Sequence, residues 1–372
     1  MSGTSSILTP SDGLPRMPEA GSPLTLRIAV LAGDGIGKEV VPPAVALTEA
    51  AGSRHGLRFA WDHHDWGCDR YLTTGRFMPP DALAQLAACD AILLGAVGDP
   101  RVPDHQSLWG MLIPIRRGFS QRVNVRPIRR LPGIQGPLRS ERPIDYVVIR
   151  ENVEGEYSEI GGRLYHGTAD EIAVQESVFT RRGVEAVMRY AFDLASSRAR
   201  TLVAATKSNG IIHTMPFWDQ IFGELAAQYP AVATRKVHVD ALAAELILRP
   251  EVHDVIVASN LFGDILTDLG AAVVGGIGLG PSGNIDPSRQ HPPMFEAIHG
   301  SAPDIAGRGI GNPIATCWSA AMMLEHLEHG EAAGDMMRAI ETVTASGEVL
   351  TPDLGGTATT VAVGEALIAA LP

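Results

Sequence analysis

Apolar and polar positions alternate along this chain in two distinct rhythms. Leu26–Ala32 is a short apolar run that breaks into Gly33-Asp34-Gly35-Ile36-Gly37, and a helical pattern follows from Glu39 to about Ala51. Asp81–Ala88 reads as a helix and Ala91–Gly98 as a buried strand that ends in a glycine-rich loop. Tyr146–Arg150 and Val255–Ser259 are apolar strands whose C-terminal ends run straight into polar residues. Helices are expected at Thr180–Ser196, Pro216–Gln228 and Asn260–Leu269. Asn312-Pro313 looks like an N-cap with proline at the first helical position, opening a helix to about Leu327. Strands alternating with helices predict an α/β fold with a largely parallel sheet. Between Gly155 and Phe179 the rhythm changes to paired strands, Tyr157–Tyr165 and Glu171–Val178, expected to form an arm or clasp.

Composition narrows the class. A length of 372 residues suits two domains, and 45% hydrophobic with 19% charged residues excludes a disordered chain or a coiled coil. No apolar run approaches the ~18 residues of a membrane span. Residues 1–23 lack a basic region followed by an apolar stretch, so they read as a flexible leader and the expected location is the cytoplasm. Three scattered cysteines are too few for a disulfide framework or a cysteine-based zinc site. The net charge of −12 argues against nucleic acid or an anionic membrane as a partner. All but three of the 30 basic residues are arginine, which singles out Lys38, Lys207 and Lys236.

Four stretches are suited to chemistry. Gly33–Gly37 resembles a dinucleotide fingerprint, but Lys38 stands where its third glycine would fall; a plain strand-to-helix turn fits equally well. Arg116, Arg117, Arg122, Arg126, Arg129 and Arg130 form a basic cluster in an acidic chain. It reads as a solvated face, as an RNA surface (disfavoured without interleaved aromatics), or as an anion pocket completed by Arg150 at a strand end. Asp264 and Asp268 stand four apart after a strand, so on a helix they share one face, where hard oxygen donors suit Mg²⁺ or Mn²⁺. The alternative is a pair of solvated helix acids. His299–Pro313 is a long glycine-rich loop that ends at a helix start, suited to phosphates, with Asp304 placed to accept ribose hydroxyls; a connecting loop is the alternative.

Taken in order, these stretches resemble the metal-dependent β-decarboxylating dehydrogenases, the isocitrate, isopropylmalate and tartrate/D-malate dehydrogenase family. NLFGDILTDL, HGSAPDIAG…NP and PDLGGTATT carry the resemblance from about Leu26 to the end of the chain. RENVEGEYS and SLWGMLIPIRRGFSQRVNVRP look most like its tartrate/D-malate branch, whereas isopropylmalate enzymes usually carry Thr-Gly-Gly-Ile-Tyr where this chain has Val153–Tyr157. The resemblance implies an isopropylmalate dehydrogenase-like α/β fold of two domains, with a mixed, largely parallel sheet and a β arm for dimerisation. Residues 24–121 and 276–372 would form the large cofactor-binding domain, and 122–275 the small one.

It also implies roles. Arg116, Arg126 and Arg150 would clamp substrate carboxylates. Asp264 and Asp268, with Asp240 of the partner subunit, would hold Mg²⁺ or Mn²⁺. Tyr157 would be the general acid and Lys207 of the partner subunit the base. His299, Gly300, Ser301, Ala302, Asp304 and Asn312 would bind NAD. Lys38, in the glycine turn, and Lys236, in an expected loop, fall outside this set. The implied reaction is NAD-dependent oxidation of a (2R)-hydroxy diacid in a homodimer with shared sites. Two alternatives are 3-isopropylmalate oxidation, since Trp109, Leu112 and Ile113 form an apolar stretch, and a non-catalytic dicarboxylate-binding protein.

Overall fold

The computed structural model describes residues 25–138 and 142–372; the leader read at 1–23 lies outside them. Ten strands form one sheet: β1 (Thr25–Gly33), β2 (Arg58–His63), β3 (Ala91–Ala96), β4 (Val123–Arg129), β5 (Asp145–Glu151), β8 (Thr201–Thr206), β9 (Ala233–His238), β10 (Val255–Ala258), β11 (Pro281–Ile285) and β12 (Met294–Ala297). The order across the sheet is β2-β1-β3-β12-β11-β4-β5-β10-β8-β9. Both flanks are parallel, and the centre, β12-β11-β4-β5, is antiparallel. The expected mixed, largely parallel α/β sheet is therefore present.

Burial on both faces explains the apolar runs. β3 and β10 are buried along their whole length, and Tyr146–Ile149 of β5 is fully enclosed. The helix expected from Glu39 spans Gly37–Arg54, that at Asn260 runs on to Val274, and Gly275 and Gly276 end it with positive φ. The helix expected over Asp81–Ala88 is shorter, Ala82–Leu86. The final predicted helix covers Ile314–His326; Pro313 stands at its N-cap, and Asn312 Oδ1 accepts the Ile314 N–H at 3.0 Å.

The paired strands contract to a two-stranded antiparallel hairpin, β6 (Gly161–Leu164) with β7 (Ile172–Gln175), exposed at every position. Lys236 lies in edge strand β9 rather than in a loop, because the parallel ladder with β8 captures a segment too polar to announce itself.

Candidate active site

The strand end at Arg150 faces the first turns of helix Asn260–Val274, and this meeting forms the charged centre of the molecule. Arg150, 2% exposed, directs Nη1 to Asp264 Oδ1, while its Nε and Nη2 donate to Asn260 Oδ1 at 3.1 and 2.7 Å. Arg126, from β4, donates from Nη1 to the same Asp264 Oδ1 at 3.2 Å and to Thr267 Oγ1 at 2.6 Å. Tyr157 donates its hydroxyl to Asp264 Oδ2 at 2.9 Å, with the Arg150 guanidinium 5.6 Å from its ring centre. Arg116 is buried beside them and held by Glu296 Oε1 at 2.7 Å. One carboxylate thus receives two guanidinium groups and a phenol.

The electrostatics follow from this crowding. Burial and the neighbouring charges of Arg126 and Arg116 push the Arg150 guanidinium down to about 10. Burial alone would raise the Asp264 carboxyl, but Arg150 and Arg126 outweigh it and hold it below the usual carboxylate range. Burial and the Asp264 charge raise the Tyr157 phenol, so it stays protonated and able to donate. Asp268, one turn beyond Asp264, opens to solvent and makes no hydrogen bond or ion pair among the described residues. Crowding by protein raises its carboxyl despite the opposing charge of Arg126, and the Asp264 charge adds to the rise. Two hard oxygen donors side by side, one of them uncommitted, fit a divalent cation.

Lys207 and Asp240 do not join this centre within one chain. They pair with each other, Nζ to Oδ2 at 2.8 Å, at the surface. Among the described residues no three His, Cys, Asp or Glu side chains cluster as a metal site. Lys38 pairs with Asp69 at 2.7 Å and Lys236 with Asp219 at 3.4 Å.

The arginine cluster divides by partner. Arg116 and Arg126 join Arg150, whereas Arg117 holds the Tyr157 carbonyl at 3.0 Å and lies over the Trp109 ring. Arg122 pairs with Glu154, and Arg129 with Glu341. Trp109 lines a cleft of about 520 Å³ with Tyr71, Phe77 and Met78, which none of the charged residues above enters.

The loop from His299 is built as a cradle. Ser301 O accepts the Ile36 N–H at 2.9 Å, and a Cβ on Gly35 (φ +52°) would stand 2.0 Å from that oxygen. Asp34 accepts the N–H groups of Cys68 and Gly98, both at 2.9 Å. The Gly33–Gly37 turn is therefore filled by protein and serves as the floor of the loop. Asn312 Nδ2 donates to Asp353 Oδ2 at 3.0 Å, and Thr360 Oγ1 to Gly311 O at 2.6 Å, which gives PDLGGTATT its place beneath the loop. His299 donates from Nδ1 to the Gly300 carbonyl at 3.0 Å, while its buried Nε2 has no partner among the described residues; burial lowers its pKa. Ala302 sits at φ +42°, and Asp304 is exposed. An orphaned ring nitrogen and an exposed carboxylate along one glycine-rich loop fit a dinucleotide.

Sequence reasoning missed Glu296, Asn260 and Thr267, which hold the three arginines. Asn260 carried a signal, as the first helical residue after a strand.

These features define the class. A model for the isocitrate/isopropylmalate dehydrogenase family matches residues 27–367, and the chain belongs to that family of enzymes. It is 52% identical over 354 residues to a tartrate dehydrogenase/decarboxylase of Pseudomonas putida, covering 92% of this chain and 97% of the relative. It is 51% identical over 353 residues to a D-malate dehydrogenase (decarboxylating) of Escherichia coli K12, covering 92% and 98%. Among solved structures, an isocitrate dehydrogenase from Methylococcus capsulatus superposes with a TM-score of 0.84 at 32% identity, over 93% of this chain and 99% of that one. Among the described residues no helix is long and apolar enough to cross a membrane.

Proposed function

We propose that this enzyme oxidises a (2R)-hydroxy diacid, D-malate or tartrate, with NAD⁺ and Mg²⁺ or Mn²⁺, and releases the β-carboxylate as CO₂. The observation that carries this reading is the convergence of Arg126, Arg150 and the Tyr157 hydroxyl on Asp264, with Arg116 near enough for its charge to act on both Arg150 and Asp264. The names of the relatives point to the same reaction.

In this reading the guanidinium forks of the three arginines bind and orient the two substrate carboxylates. Asp264, Asp268 and Asp240 of the partner subunit hold the cation. Bound there, it supplies Lewis-acid polarisation of the oxygen on the carbon being oxidised, and bound NAD⁺ accepts the hydride. Lys207 of the partner subunit removes the hydroxyl proton, and Tyr157 returns a proton to the carbon that loses CO₂. His299 to Asn312 hold the dinucleotide, with the exposed Asp304 at the ribose, where its charge repels the 2′-phosphate of NADP⁺.

The homodimer is part of the proposal. In one chain Lys207 and Asp240 bond to each other and Tyr157 bonds to Asp264, and Ile247, Leu248, Val252 and Ile265 are exposed on the elements that carry or flank the site acids. We assign residues 24–121 and 276–372 to a cofactor-binding domain and 122–275 to the other. Helices Gly37–Arg54, Ile314–His326, Gly330–Ser346 and Thr360–Ala369 pack together on the first, and helix Arg181–Ser197 on β5, β8 and β10 in the second. The test is NADH formation with D-malate, both tartrate forms, 3-isopropylmalate and isocitrate, each with Mn²⁺. Turnover of D-malate or tartrate is expected; none with either refutes the reading.

A further inference from the structure

Residues 154–157 lie along the first turn of helix Asn260–Val274 and are fastened to it four times. Asn260 Nδ2 donates to the Glu154 carbonyl at 2.9 Å, and Ser259 Oγ to Glu156 Oε1 at 2.8 Å. The Leu261 N–H donates to Glu156 Oε2 at 3.0 Å, and Tyr157 to Asp264 Oδ2 at 2.9 Å. Ser259 occupies the N-cap in an extended conformation but does not cap its own helix. A serine there ordinarily accepts from the second or third helical N–H. Here its hydroxyl is turned to Glu156, whose carboxylate does the capping, a charged acceptor at the positive end of the helix.

Gly155 permits the approach: its φ is +77°, and a Cβ would stand 3.3 Å from the Asn260 Cβ. The loop's other acids are spent elsewhere. Glu151 accepts the N–H groups of Val153 and Glu154, and Glu154 is held by Arg122 and Thr180. Glu156 is the one carboxylate of the segment that reaches the helix bearing Asp264 and Asp268.

We propose that Glu156 is a positioning residue, which sets the register between the Tyr157 hydroxyl and Asp264 by clamping the backbone next to Tyr157 to the start of that helix. Arg117 also holds the Tyr157 carbonyl at 3.0 Å, so the phenol is aimed by one anchor on the residue before it and one on its own carbonyl. Without the Glu156 carboxylate, the Ser259 hydroxyl and the Leu261 N–H lose their acceptor, and the alignment is left to the Asn260 bond to the Glu154 carbonyl, the Arg117 bond to the Tyr157 carbonyl and the phenol bond itself. The consequence for turnover rests on Tyr157 being the acid; the geometric claim does not.

The experiment compares Glu156→Gln, which keeps one acceptor oxygen, with Glu156→Ile, which keeps bulk and loses both. The protein is labelled at tyrosine ¹³Cζ and studied near neutral pH without metal or substrate. The chain has only six tyrosines, and Tyr157→Phe identifies the relevant resonance. The Tyr157 resonance is expected to move towards that of exposed tyrosines in Glu156→Ile and less far in Glu156→Gln. With substrate and Mn²⁺, kcat should fall about tenfold in Glu156→Ile, part of the ~10²–10⁴-fold worth of a general acid, with recovery in Glu156→Gln and little change in the KM for the diacid. Circular dichroism confirms folding, and if Glu156→Ile fails to fold, Glu156→Gln carries the test. A Tyr157 resonance unmoved in the folded variants overturns the proposal. A moved resonance with a fully active Tyr157→Phe overturns the acid role and leaves the positioning intact.

Discussion

Replacing Asp264 by asparagine separates the two roles of that carboxylate. Its Oδ1 is the acceptor for both Arg126 and Arg150, two buried cations with no other carboxylate paired to them among the described residues. Stripping the charge from a buried pair costs about 3–5 kcal/mol. The Asp264 side chain is 35% exposed, so solvent screening reduces this to about 2 kcal/mol. At ~2 °C per kcal/mol for a chain of this size, Asp264→Asn should melt about 4 °C below the parent in EDTA. Asp268→Asn removes a charge that has no hydrogen-bond or ion-pair partner among the described residues and whose attraction to Arg126 is outweighed by burial together with the repulsion from Asp264, so its melting point should stay within about 1 °C. Both variants should lose metal-dependent turnover. A diacid supplies the missing negative charge, so D-malate in EDTA should raise the Tm of Asp264→Asn more than that of the parent; binding at ~100 Kd returns ~2.7 kcal/mol. Differential scanning fluorimetry reads the three proteins with and without the diacid. Equal melting of the two variants, or no extra gain from the diacid, would refute the view that Asp264 holds the arginines.

Other perturbations probe separate parts. Tyr157→Phe and Lys207→Ala homodimers should each be nearly inactive, while co-refolding equal amounts should restore about a quarter of parental activity through heterodimers with one intact site; no recovery, with heterodimers confirmed by mass, rules out shared sites. Gly35→Ala forces a side chain against the Ser301 carbonyl at positive φ, so the KM for NAD⁺ should rise severalfold with kcat less affected, as steady-state kinetics would show. Burial holds the His253 and His326 imidazoles down at about 4 and about 3, so below about pH 6.5 the unfolded chain takes up protons that the native one refuses. Each histidine then removes roughly 1.4 kcal/mol of stability per pH unit, and His326→Leu should flatten the fall of Tm between pH 6 and pH 4; an unchanged slope would contradict this.

What could be read in the sequence was whatever the physics writes locally. β3, β5 and β10 are buried on both faces, so they stand out as apolar runs, and the i, i+4 spacing of Asp264 and Asp268 is realised on a helix. β4 and β11 were hidden because their buried residues include polar ones. Asn124, Ser282 and Asn284 bond to one another across the antiparallel centre, and Asn284 reaches on to Glu296 and so to Arg116. A buried polar network satisfies itself only after strands far apart in sequence have paired, so no window of residues reveals it. The same holds for Glu156, whose partners lie 103 and 105 residues away. Ser259, read as the end of a strand, stands at the N-cap, and the structure uses its hydroxyl to hold the carboxylate that does the capping.

The two halves of the proposed site differ in a way that suits assembly between subunits. Asp264 is locked by two arginines and a phenol, within a network that extends through Asn260 and Thr267 to the sheet. The Lys207–Asp240 pair has side chains 30% and 68% exposed, and ion pairs of that kind are worth about 0–1 kcal/mol. Rearranging it against a neighbouring subunit therefore costs little, whereas moving Asp264 would strand buried charge. On the shared-site reading, the rigid half fixes the substrate and the adaptable half brings the base and the third metal acid. Pairing in the separate chain keeps Lys207 hydrogen-bonded to a carboxylate, and if Asp240 served as a ligand of the cation, the lysine would lose that partner. Base and metal acid would then become available in one event, for which neither chain alone has the parts.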